Sequence, residues 1–393
     1  MPAPLEGIKV LDFTRYQQGP FATVMLADMG ADVIKVEERR NGDLGRALGA
    51  QPDGFCGYFE AHNRNKRSIT LDVRTEKGKQ IVRRLAERVD VVVENFRPGV
   101  MDRLGIGYAD LKAVNPRIIM ASASGYGMRG PDAKKPSFDI IGQAVGGIMV
   151  SQGGGPENEP QMVTAGFADH VGAMFLAFGV AMALIARDRF GIGQHLDASL
   201  LGGQIAFQAM GYCRSLQNGV HSSFVAGGNP LFRAYGCADG KWLAIGILDP
   251  KVWPSLTAAL DRPDLEHDQR FAEPFARHDN AHELTGHLAE IFRTRPRDEW
   301  LKLLEQHDVA AGPVRDHVEA AEDPQVLANE YIVTVEHPHI GPIRVPGIPV
   351  NFSETPGSVR TAAPELGQHT EEVLLELGYT WEEMGQLREE EII

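Results

Sequence analysis

Asp169 is the residue whose type and position most directly suggest chemistry. It lies in the segment Gly166–His170 (GFADH), just before the apolar run Val171–Ala186, which predicts a helix. A carboxylate at that point meets unpaired backbone N–H groups and the positive end of the helix dipole. Held among small residues, it can act as a nucleophile that forms a covalent intermediate. An ordinary helix N-cap explains the same placement, so position alone leaves both interpretations open.

Basic residues gather at the ends of several predicted strands in the first third of the chain. Ligands of open α/β sheets bind beyond the carboxyl ends of the strands, and arginine makes bidentate contacts with phosphate. The pattern favours a ligand with several phosphates, although a solvated loop charge explains any single member more simply. The residues are Lys35, Arg39, Arg40, Arg64, Lys66, Arg67, Arg74, Arg97 and Arg103.

The charge distribution points the same way. The 393 residues include 39 Lys+Arg and 53 Asp+Glu, a net charge of −14, which argues against a general nucleic-acid binder. Residues 1–135 hold 22 basic and 17 acidic residues, leaving 17 and 36 in residues 136–393. A basic first third on an acidic protein suits an anionic small molecule, and random scatter of surface charge is the alternative.

Two further motifs resemble known sites but lack the required context. Gly125–Gly130 (GYGMRG) fits the dinucleotide fingerprint, yet Pro131 and Pro136 follow where a helix should begin, so we predict a loop. His282 and His287 are five residues apart, whereas a zinc-binding helix needs a spacing of four. We therefore expect no metal and no permanently bound cofactor.

These candidate residues need a scaffold, and the first 125 residues predict one of alternating strands and helices. Such alternation indicates an α/β fold with a mostly parallel sheet covered by helices. The predicted strands are Ile8–Phe13, Asp32–Val36, Ser68–Leu71, Val89–Phe96 and Arg117–Ser122. The predicted helices are Pro20–Met29, Glu76–Glu87 and Tyr108–Val114.

The remaining sequence divides into three parts. Ile140–Met210 is rich in Gly and Ala and predicts helices, with Val171–Ala186 as a fully buried helix too short to span a membrane. Asp239-Gly240 between two strand-like runs predicts a hairpin, followed by helices from Trp253 to Gln306. We predict a large domain at 1–215, a small α+β domain at 225–320, and a segment at 325–393 that includes a strand at Ile332–Glu336 and a helix at Thr370–Leu377.

The cysteines and the first ten residues indicate in which cellular compartment the protein is expected. Cys56, Cys213 and Cys237 are an odd number of thiols without a metal or redox spacing, and Met1–Val10 lacks a signal-peptide pattern. We expect a cytoplasmic protein that does not interact with membranes.

With these residues in view, the chain resembles the family III CoA-transferases, also called the CaiB/BaiF family. Relatives of that family include formyl-CoA transferase, carnitine CoA-transferases and α-methylacyl-CoA racemase. The resemblance covers nearly the whole chain, and many individually weak motifs occur in order. They are PLEGIKVLDFT (Pro4–Thr14), GADVIKVE (Gly30–Glu37), NKRSITLD (Asn65–Asp72), VENFRPG (Val93–Gly99), SGYG..GP (Ser124–Pro131), GPV (Gly312–Val314), EDPQ (Glu322–Gln325) and LGQHTEEVL (Leu366–Leu374).

The resemblance implies roles for particular residues. Asp169 matches the catalytic nucleophile, and Gln17 matches a position near the reacting acyl group. Gly227 and Gly228 match a glycine loop that covers the intermediate, although the run of glycines is shorter here. Residues matching CoA-contacting positions are Gln18, Leu71, Arg74, Asn95, Phe96, Arg97, Arg103, Phe138 and Asp139, with either Arg39 or Arg40 as a phosphate-binding arginine.

The resemblance also implies a fold and an assembly. It predicts an interlocked homodimer in which each subunit has a Rossmann-like large domain, completed by the C-terminal segment, and a smaller domain. The expected activity is transfer of CoA, supplied as acyl-CoA, to a carboxylic acid through aspartyl anhydride and aspartyl-CoA thioester intermediates.

Three alternatives predict different behaviour. A 2-methylacyl-CoA racemase needs two acid/base groups, and its branch has a histidine where Phe138 stands. A nicotinamide-dependent oxidoreductase would use the Gly125–Gly130 loop, against which the following prolines argue. A protein that only binds acyl-CoA would show no exchange.

Overall fold

Valine- and isoleucine-rich runs form a six-stranded sheet in which every neighbouring pair is parallel. The strand order is β3-β2-β1-β4-β5-β6, the order of a Rossmann-like doubly wound sheet. The strands are β1 (Lys9–Asp12), β2 (Asp32–Glu37), β3 (Lys66–Thr70), β4 (Val91–Glu94), β5 (Ile119–Ser124) and β6 (His195–Ser199).

The computed structural model describes residues 1–221 and 228–393 and separates into two units. Met1–Ser222 together with Leu327–Ile393 form the unit that contains the sheet, and Ser223–Val326 form the other. Helices of the first unit before residue 222 are α1 (Gln18–Asp28), α2 (Gly57–Asn63), α3 (Glu76–Ala86), α4 (Val100–Leu104), α5 (Tyr108–Val114), α6 (Asp139–Val145), α7 (Ile148–Gln152), α8 (Phe167–Phe190), α9 (Leu200–Phe207) and α10 (Ala209–Asn218).

The sheet is covered on both faces, because successive residues of each strand point to opposite sides. Leu11 and Ile34 belong to one buried cluster, and their neighbours Val10 and Val33 belong to another. The second cluster contains the small residues through which α1 and α8 pack. This packing brings the start of α8 to the start of α1.

The C-terminal part of the chain returns to the first unit. Its elements are β10 (Ile332–His337), β11 (Gly341–Pro346), α18 (Thr370–Glu376) and α19 (Trp381–Glu389). Thr380 and Glu383 form a capping box that starts α19. Leu374, Met384 and Ile393 are buried in the same cluster as Leu11. This segment therefore closes one face of the sheet.

The second unit contains a three-stranded antiparallel sheet and helices around its own core. Its elements are β7 (Phe232–Gly236), β8 (Trp242–Gly246), α11 (Trp253–Ala259), α12 (Pro263–His267), α13 (Pro274–Asp279), α14 (Ala281–Phe292), α15 (Arg297–Gln306), β9 (Ala311–Val314) and α16 (His317–Ala321), with α17 (Pro324–Ala328) after them. The hairpin predicted around Asp239-Gly240 is confirmed by the antiparallel pairing of β7 and β8.

The structure differs from two sequence expectations. The region predicted to be dominated by helices, Ile140–Met210, also contains β6, a half-exposed edge strand whose segment HLDAS lacks a continuous apolar run and was not predicted. The helix predicted to be fully buried is α8, and Met174, Phe175 and Phe178 on it are 47%, 44% and 62% exposed. By length and composition alone α8 could cross a membrane, but half of its most apolar stretch is buried in the fold.

Candidate active site

Loops at the carboxyl ends of β1, β4 and β5 surround a cavity of about 290 Å3, to which the start of α8 also contributes. The sheet order reverses between β1 and β4, which is the position where doubly wound sheets bind ligands. The residues predicted from the sequence that line this cavity are Gln17, Gln18, Asn95, Phe96, Arg97, Phe138 and Asp169.

A buried charge network holds the β1–α1 loop in place. Lys35 Nζ donates to the carbonyl oxygen of Thr14 at 2.8 Å and pairs with Asp43 at 2.9 Å. Asp43 Oδ1 in turn accepts the N–H of Tyr16 at 3.0 Å. Tyr16 adopts a left-handed conformation, with φ of 64°, which a non-glycine residue keeps only when its surroundings enforce it. The network therefore fixes the backbone immediately before Gln17.

A second buried pair anchors the end of β1. Asp12 accepts hydrogen bonds from the Thr14 and Thr23 hydroxyls and pairs with Lys66 Nζ at 3.0 Å. Asp12, Lys35 and Lys66 are almost inaccessible to solvent. The nearby positive charges lower the pKa of Asp12 although burial alone would raise it. Lys35 and Lys66 thus have structural roles, each in a buried ion pair with an aspartate.

The β4–α4 loop is joined to the β1–α1 loop through Asn95. Its side-chain oxygen accepts the N–H of Arg15 at 2.8 Å, and its side-chain nitrogen donates to the Arg15 carbonyl oxygen at 2.7 Å. The Arg15 guanidinium lies 5.2 Å from the centre of the Phe96 ring. Arg15 lines the cavity together with Arg97 and Lys135, so this wall is cationic. Arg97 was predicted from the sequence as a site residue, whereas Arg15 was not.

Asp169 occupies the first turn of α8, and Asp139 caps that turn from α6. Asp139 Oδ1 accepts the backbone N–H groups of Ala168 at 2.6 Å and of Asp169 at 3.1 Å. Gln143 Nε2 donates to the other Asp139 oxygen at 2.7 Å. Asp139, predicted to contact CoA, therefore supports the helix end that carries Asp169.

The environment of Asp169 favours its protonated form. Burial, and then the neighbouring negative charge of Asp139, raise the pKa of Asp169 to about 7. Perturbed carboxyl groups of this kind are typical of functional sites. At neutral pH a substantial fraction of Asp169 is ionised and able to attack a carbonyl carbon.

A histidine pair borders Gln17 and was missed by the sequence analysis. His170 Nε2 lies 3.1 Å from Gln17 Nε2 and 3.1 Å from His62 Nε2. His62 Nδ1 lies 2.5 Å from the carbonyl oxygen of Tyr58. Phe21 stacks on His170 with ring centres 4.1 Å apart. His62 and His170 are 108 residues apart, so no local spacing could have revealed the pair.

Several of the basic residues at the strand ends do not form the single site for a ligand with several phosphates that the sequence pattern favoured. Lys35, Arg64 and Lys66 are buried in ion pairs, so the expectation that they contact a ligand is wrong. Arg67 pairs with Asp32. The alternative explanation, that each is a solvated charge on a loop, is also wrong for Lys35, Arg64 and Lys66.

The other predicted site residues lie away from this cavity. Arg39 and Arg40 both pair with Glu391, and Arg39 lines a separate cavity beside Ile393. Leu71 is buried in the core, and Arg103 lies near Gly99. Arg74, fully exposed, pairs with Asp72. Gly228 lines a cavity within the second unit, while Gly227 lies outside the described residues.

The two other motifs have ordinary structural explanations. Gly125–Gly130 forms a loop after β5, as predicted, and no helix begins there. His282 and His287 lie on α14, where His287 is 3.8 Å from Glu283. Residues 1–221 and 228–393 contain no group of three or more His, Cys, Asp or Glu side chains arranged to hold a metal ion.

Comparison with known proteins gives consistent matches over the whole chain. Residues 5–370 match the family model of CoA-transferase family III. The chain is 35% identical to succinyl-CoA–D-citramalate CoA-transferase of Chloroflexus aurantiacus, covering 100% of this chain and 98% of that protein. It is also 35% identical to formyl-CoA:oxalate CoA-transferase of Streptomyces coelicolor, covering 99% of each. A crystal structure of a CAIB/BAIF family protein from Brucella suis matches with a TM-score of 0.86 and 33% identity, covering 96% of this chain and 100% of that one.

Proposed function

The chain belongs to CoA-transferase family III, and from that membership we propose that it moves CoA from an acyl-CoA donor to a carboxylic acid with Asp169 as the nucleophile. The observation that carries the proposal is the position of Asp169. It lies at the start of α8 and lines the same cavity as Gln17 and the cationic strand-end loops.

The proposed reaction begins when an Asp169 carboxylate oxygen attacks the thioester carbonyl carbon. The carbon–sulfur bond breaks, CoA leaves as the thiolate, and an acyl-aspartyl anhydride forms. The thiolate then attacks the carboxyl carbon of Asp169, which releases the donor acid and leaves an aspartyl-CoA thioester. No proton, metal or redox equivalent is consumed in these steps.

The second half of the reaction repeats these steps with the acceptor. The acceptor carboxylate attacks the aspartyl-CoA thioester and expels CoA thiolate, giving a second anhydride. The thiolate attacks the acceptor carbonyl of that anhydride, so acceptor-CoA forms and the Asp169 carboxylate is restored. Each intermediate can be hydrolysed, so the site must exclude water. The partial burial of Asp169, which raises its pKa, supports a site with limited access to water.

Two other features support parts of the mechanism. The Gln17 carboxamide lines the cavity and can donate hydrogen bonds to the oxyanion that develops on the attacked carbonyl. Arg15, Arg97 and Lys135 give the cavity a cationic wall suited to the anionic groups of CoA or of an acceptor acid. The two relatives named above act on citramalate and oxalate, both dicarboxylic acids. We extend the proposal to a dicarboxylic acid as acceptor.

The proposed assembly is an interlocked homodimer. α8 exposes Met174, Phe175, Phe178, Met182 and Ile185. The neighbouring helices α6 and α9 expose further apolar residues, Ile140, Ile141 and Val145 on α6, and Ile205 and Phe207 on α9. Exposed apolar residues on helices that pack together are typical of a protein interface, and a second copy of the chain is the proposed occupant. The unpaired cysteines support a reducing compartment, and we propose the cytoplasm.

The function is tested by comparing Asp169→Asn with Asp188→Asn, an exposed residue near the other end of α8. Succinyl-, formyl- and acetyl-CoA are offered with mono- and dicarboxylic acids, and CoA exchange is followed. We expect exchange in the wild type and in Asp188→Asn, and a loss of at least about a thousandfold in Asp169→Asn. Mass spectrometry after incubation with acyl-CoA should show an adduct on the peptide containing Asp169.

Two outcomes would contradict the proposal. Full activity of Asp169→Asn would exclude Asp169 as the nucleophile. Uptake of solvent deuterium at the α-carbon of a 2-methylacyl-CoA without an acceptor acid would instead identify a racemase.

A further inference from the structure

The histidine pair next to Gln17 constrains how the Gln17 carboxamide is oriented. His62 Nδ1 lies 2.5 Å from the carbonyl oxygen of Tyr58. A carbonyl oxygen can only accept, so His62 Nδ1 must carry a hydrogen. In a neutral imidazole the other nitrogen is then an acceptor, which makes His62 Nε2 a lone pair facing His170.

The hydrogen-bonding role of His62 in turn determines that of His170. His170 Nε2 is 3.1 Å from His62 Nε2, so it must donate to that lone pair. It is also 3.1 Å from the end of the Gln17 carboxamide. A nitrogen that carries a hydrogen cannot accept from an amide N–H, so the carboxamide oxygen, and not its NH2 group, is the compatible neighbour of His170 Nε2. Because the two ends of a carboxamide have nearly the same shape, hydrogen-bond partners decide which end is which.

From this chain of contacts, and resting on the proposed function, we propose that His62 and His170 are positioning residues that turn the Gln17 carboxamide so that its oxygen faces His170 and its NH2 group faces the reaction cavity. Tyr58, through its backbone oxygen, is the fixed end of the chain. The NH2 group is then free to donate to the oxyanion that develops when the Asp169 carboxylate attacks the thioester.

The opposite orientation requires a charged histidine. If the Gln17 NH2 group donated to His170 Nε2, His62 would have to donate from both of its ring nitrogens and would be an imidazolium. Burial disfavours that form and lowers the pKa of His62 to about 4, and it also lowers the pKa of His170. Lys66 further disfavours the cation, whereas Asp43 and Asp139 oppose the effect. The neutral pair and its single orientation of Gln17 therefore prevail at neutral pH.

Packing leaves the Gln17 carboxamide little freedom other than the exchange of its oxygen and NH2 ends. A Cβ atom at Gly166 would lie 2.0 Å from the end of the Gln17 carboxamide that faces His170, so the carboxamide rests directly on the backbone before α8. Phe21 stacks on His170 from the α1 side. His62 itself is 4% exposed. The residues that set the orientation thus come from α1, α2 and α8.

A double-mutant cycle tests whether His62 acts through Gln17. We expect His62→Leu to lower kcat for CoA exchange about tenfold, with KM for acyl-CoA changed by less than about twofold, because His62 does not line the cavity. The double variant Gln17→Ala/His62→Leu should be no slower than Gln17→Ala alone. The matched control is His195→Leu, whose side chain contacts Ser122 rather than the cavity and which should retain wild-type kcat.

Additive losses in the cycle, or an unchanged kcat in His62→Leu, would overturn the proposal. A second measurement needs neither activity nor the variant's stability. In wild-type enzyme with 15N-labelled histidine, the tautomer should carry hydrogen on Nδ1 at His62 and on Nε2 at His170. Hydrogen on Nε2 of His62 at neutral pH would refute the orientation. If the wild type shows no CoA exchange, the proposed function fails, and the tautomers still decide the orientation of Gln17.

Discussion

At the scale of single residues, Asp169 and Asp139 form a pair with divided tasks. Asp139 is held by Gln143 and accepts two backbone N–H groups of α8, whereas Asp169 faces the cavity. The proximity of the two carboxylates, added to burial, keeps part of Asp169 protonated near pH 7. Asp139 therefore influences the ionised fraction of Asp169, and so its reactivity, without having to touch the substrate.

The pH dependence of the first half-reaction should report Asp169. Because only the carboxylate attacks, kcat/KM for acyl-CoA should rise with pH and level off above a pKa of about 7. Asp139→Asn removes the negative charge but keeps an oxygen that can cap α8, so the inflection should move to lower pH. Asp188→Asn should leave the profile unchanged. An inflection that stays in place, or moves up, in Asp139→Asn would contradict this electrostatic account.

The same raised pKa has a consequence for stability. A carboxyl group whose pKa is higher in the folded state than its usual 3.8 stabilises the fold fully below that value, and the contribution is lost as the pH rises through about 7. Asp169→Asn removes the cost of ionisation, about 1.4 kcal/mol for each pKa unit at most. Its Tm should exceed that of the wild type at about pH 8 and approach it at about pH 4. A Tm difference independent of pH would exclude Asp169 as its source.

At the scale of elements, the start of α8 approaches the start of α1 because glycines face glutamines. A Cβ at Gly166 would meet Gln17, and one at Gly172 would lie 2.6 Å from Gln18 Nε2. The glycines at and near the start of α8 thus leave room for two polar side chains at the start of α1. This fit, rather than the charge on α8, brings Gln17 and Asp169 to one cavity.

Gly166→Ala should therefore disturb both stability and activity. Gly166 has φ of 79°, which alanine tolerates poorly, at a cost of about 1 kcal/mol or more in unfolding free energy. The added Cβ would also displace the Gln17 carboxamide and lower kcat. Gly191→Ala is the matched control, since Gly191 ends the same helix with φ of 71° and a Cβ there meets no atom within 4 Å. Equal kcat in the two variants would show that the contact with Gln17 does not matter.

Sequence patterns predicted these elements where local physics determines them. The strands β1, β2 and β4 follow from buried apolar runs, and Asp-Gly correctly marked the β7–β8 turn. β6 could not be predicted in this way, because an edge strand needs little apolar sequence. The histidine pair and the burial of Lys66 were not predicted for a different reason. His62 and His170, like Lys66 and Asp12, are tens of residues apart in the sequence, and only the folded chain brings them together.

At the scale of the whole molecule, the exposed apolar residues of α6, α8 and α9 lie on three helices that pack against one another. The proposed interface would also explain why α8 was wrongly expected to be fully buried within one chain. Hydrophobicity indicated burial, but the sequence of one chain does not distinguish burial in a core from burial at an interface. The resemblance to the family gave the interlocked homodimer as an expectation, and it remains a proposal.

A charge placed in that surface tests the assembly. Phe178→Glu lies at the centre of the α8 stripe and is 62% exposed within one chain, so we expect dissociation to a monomer. Light scattering coupled to size-exclusion chromatography gives the mass directly. Phe275→Glu, on α13 and 85% exposed, is the matched control and should leave the mass of the assembly unchanged. A wild-type mass of about 43 kDa would contradict the homodimer.

The return of the C-terminal segment to β3 has a consequence for biosynthesis. The N–H of Asp72 donates to the carbonyl oxygen of Ile392 and that of His369 to Ser68, while Leu374 and Met384 cover the sheet face that contains Leu11. At about 5–20 residues per second, the ribosome needs roughly 15–60 seconds to pass from Asp72 to Leu374. During that interval the part of this sheet face that the C-terminal segment covers remains exposed, although α3 and α5 already pack in the same cluster. We therefore expect the nascent chain to be prone to aggregation until translation has passed α19.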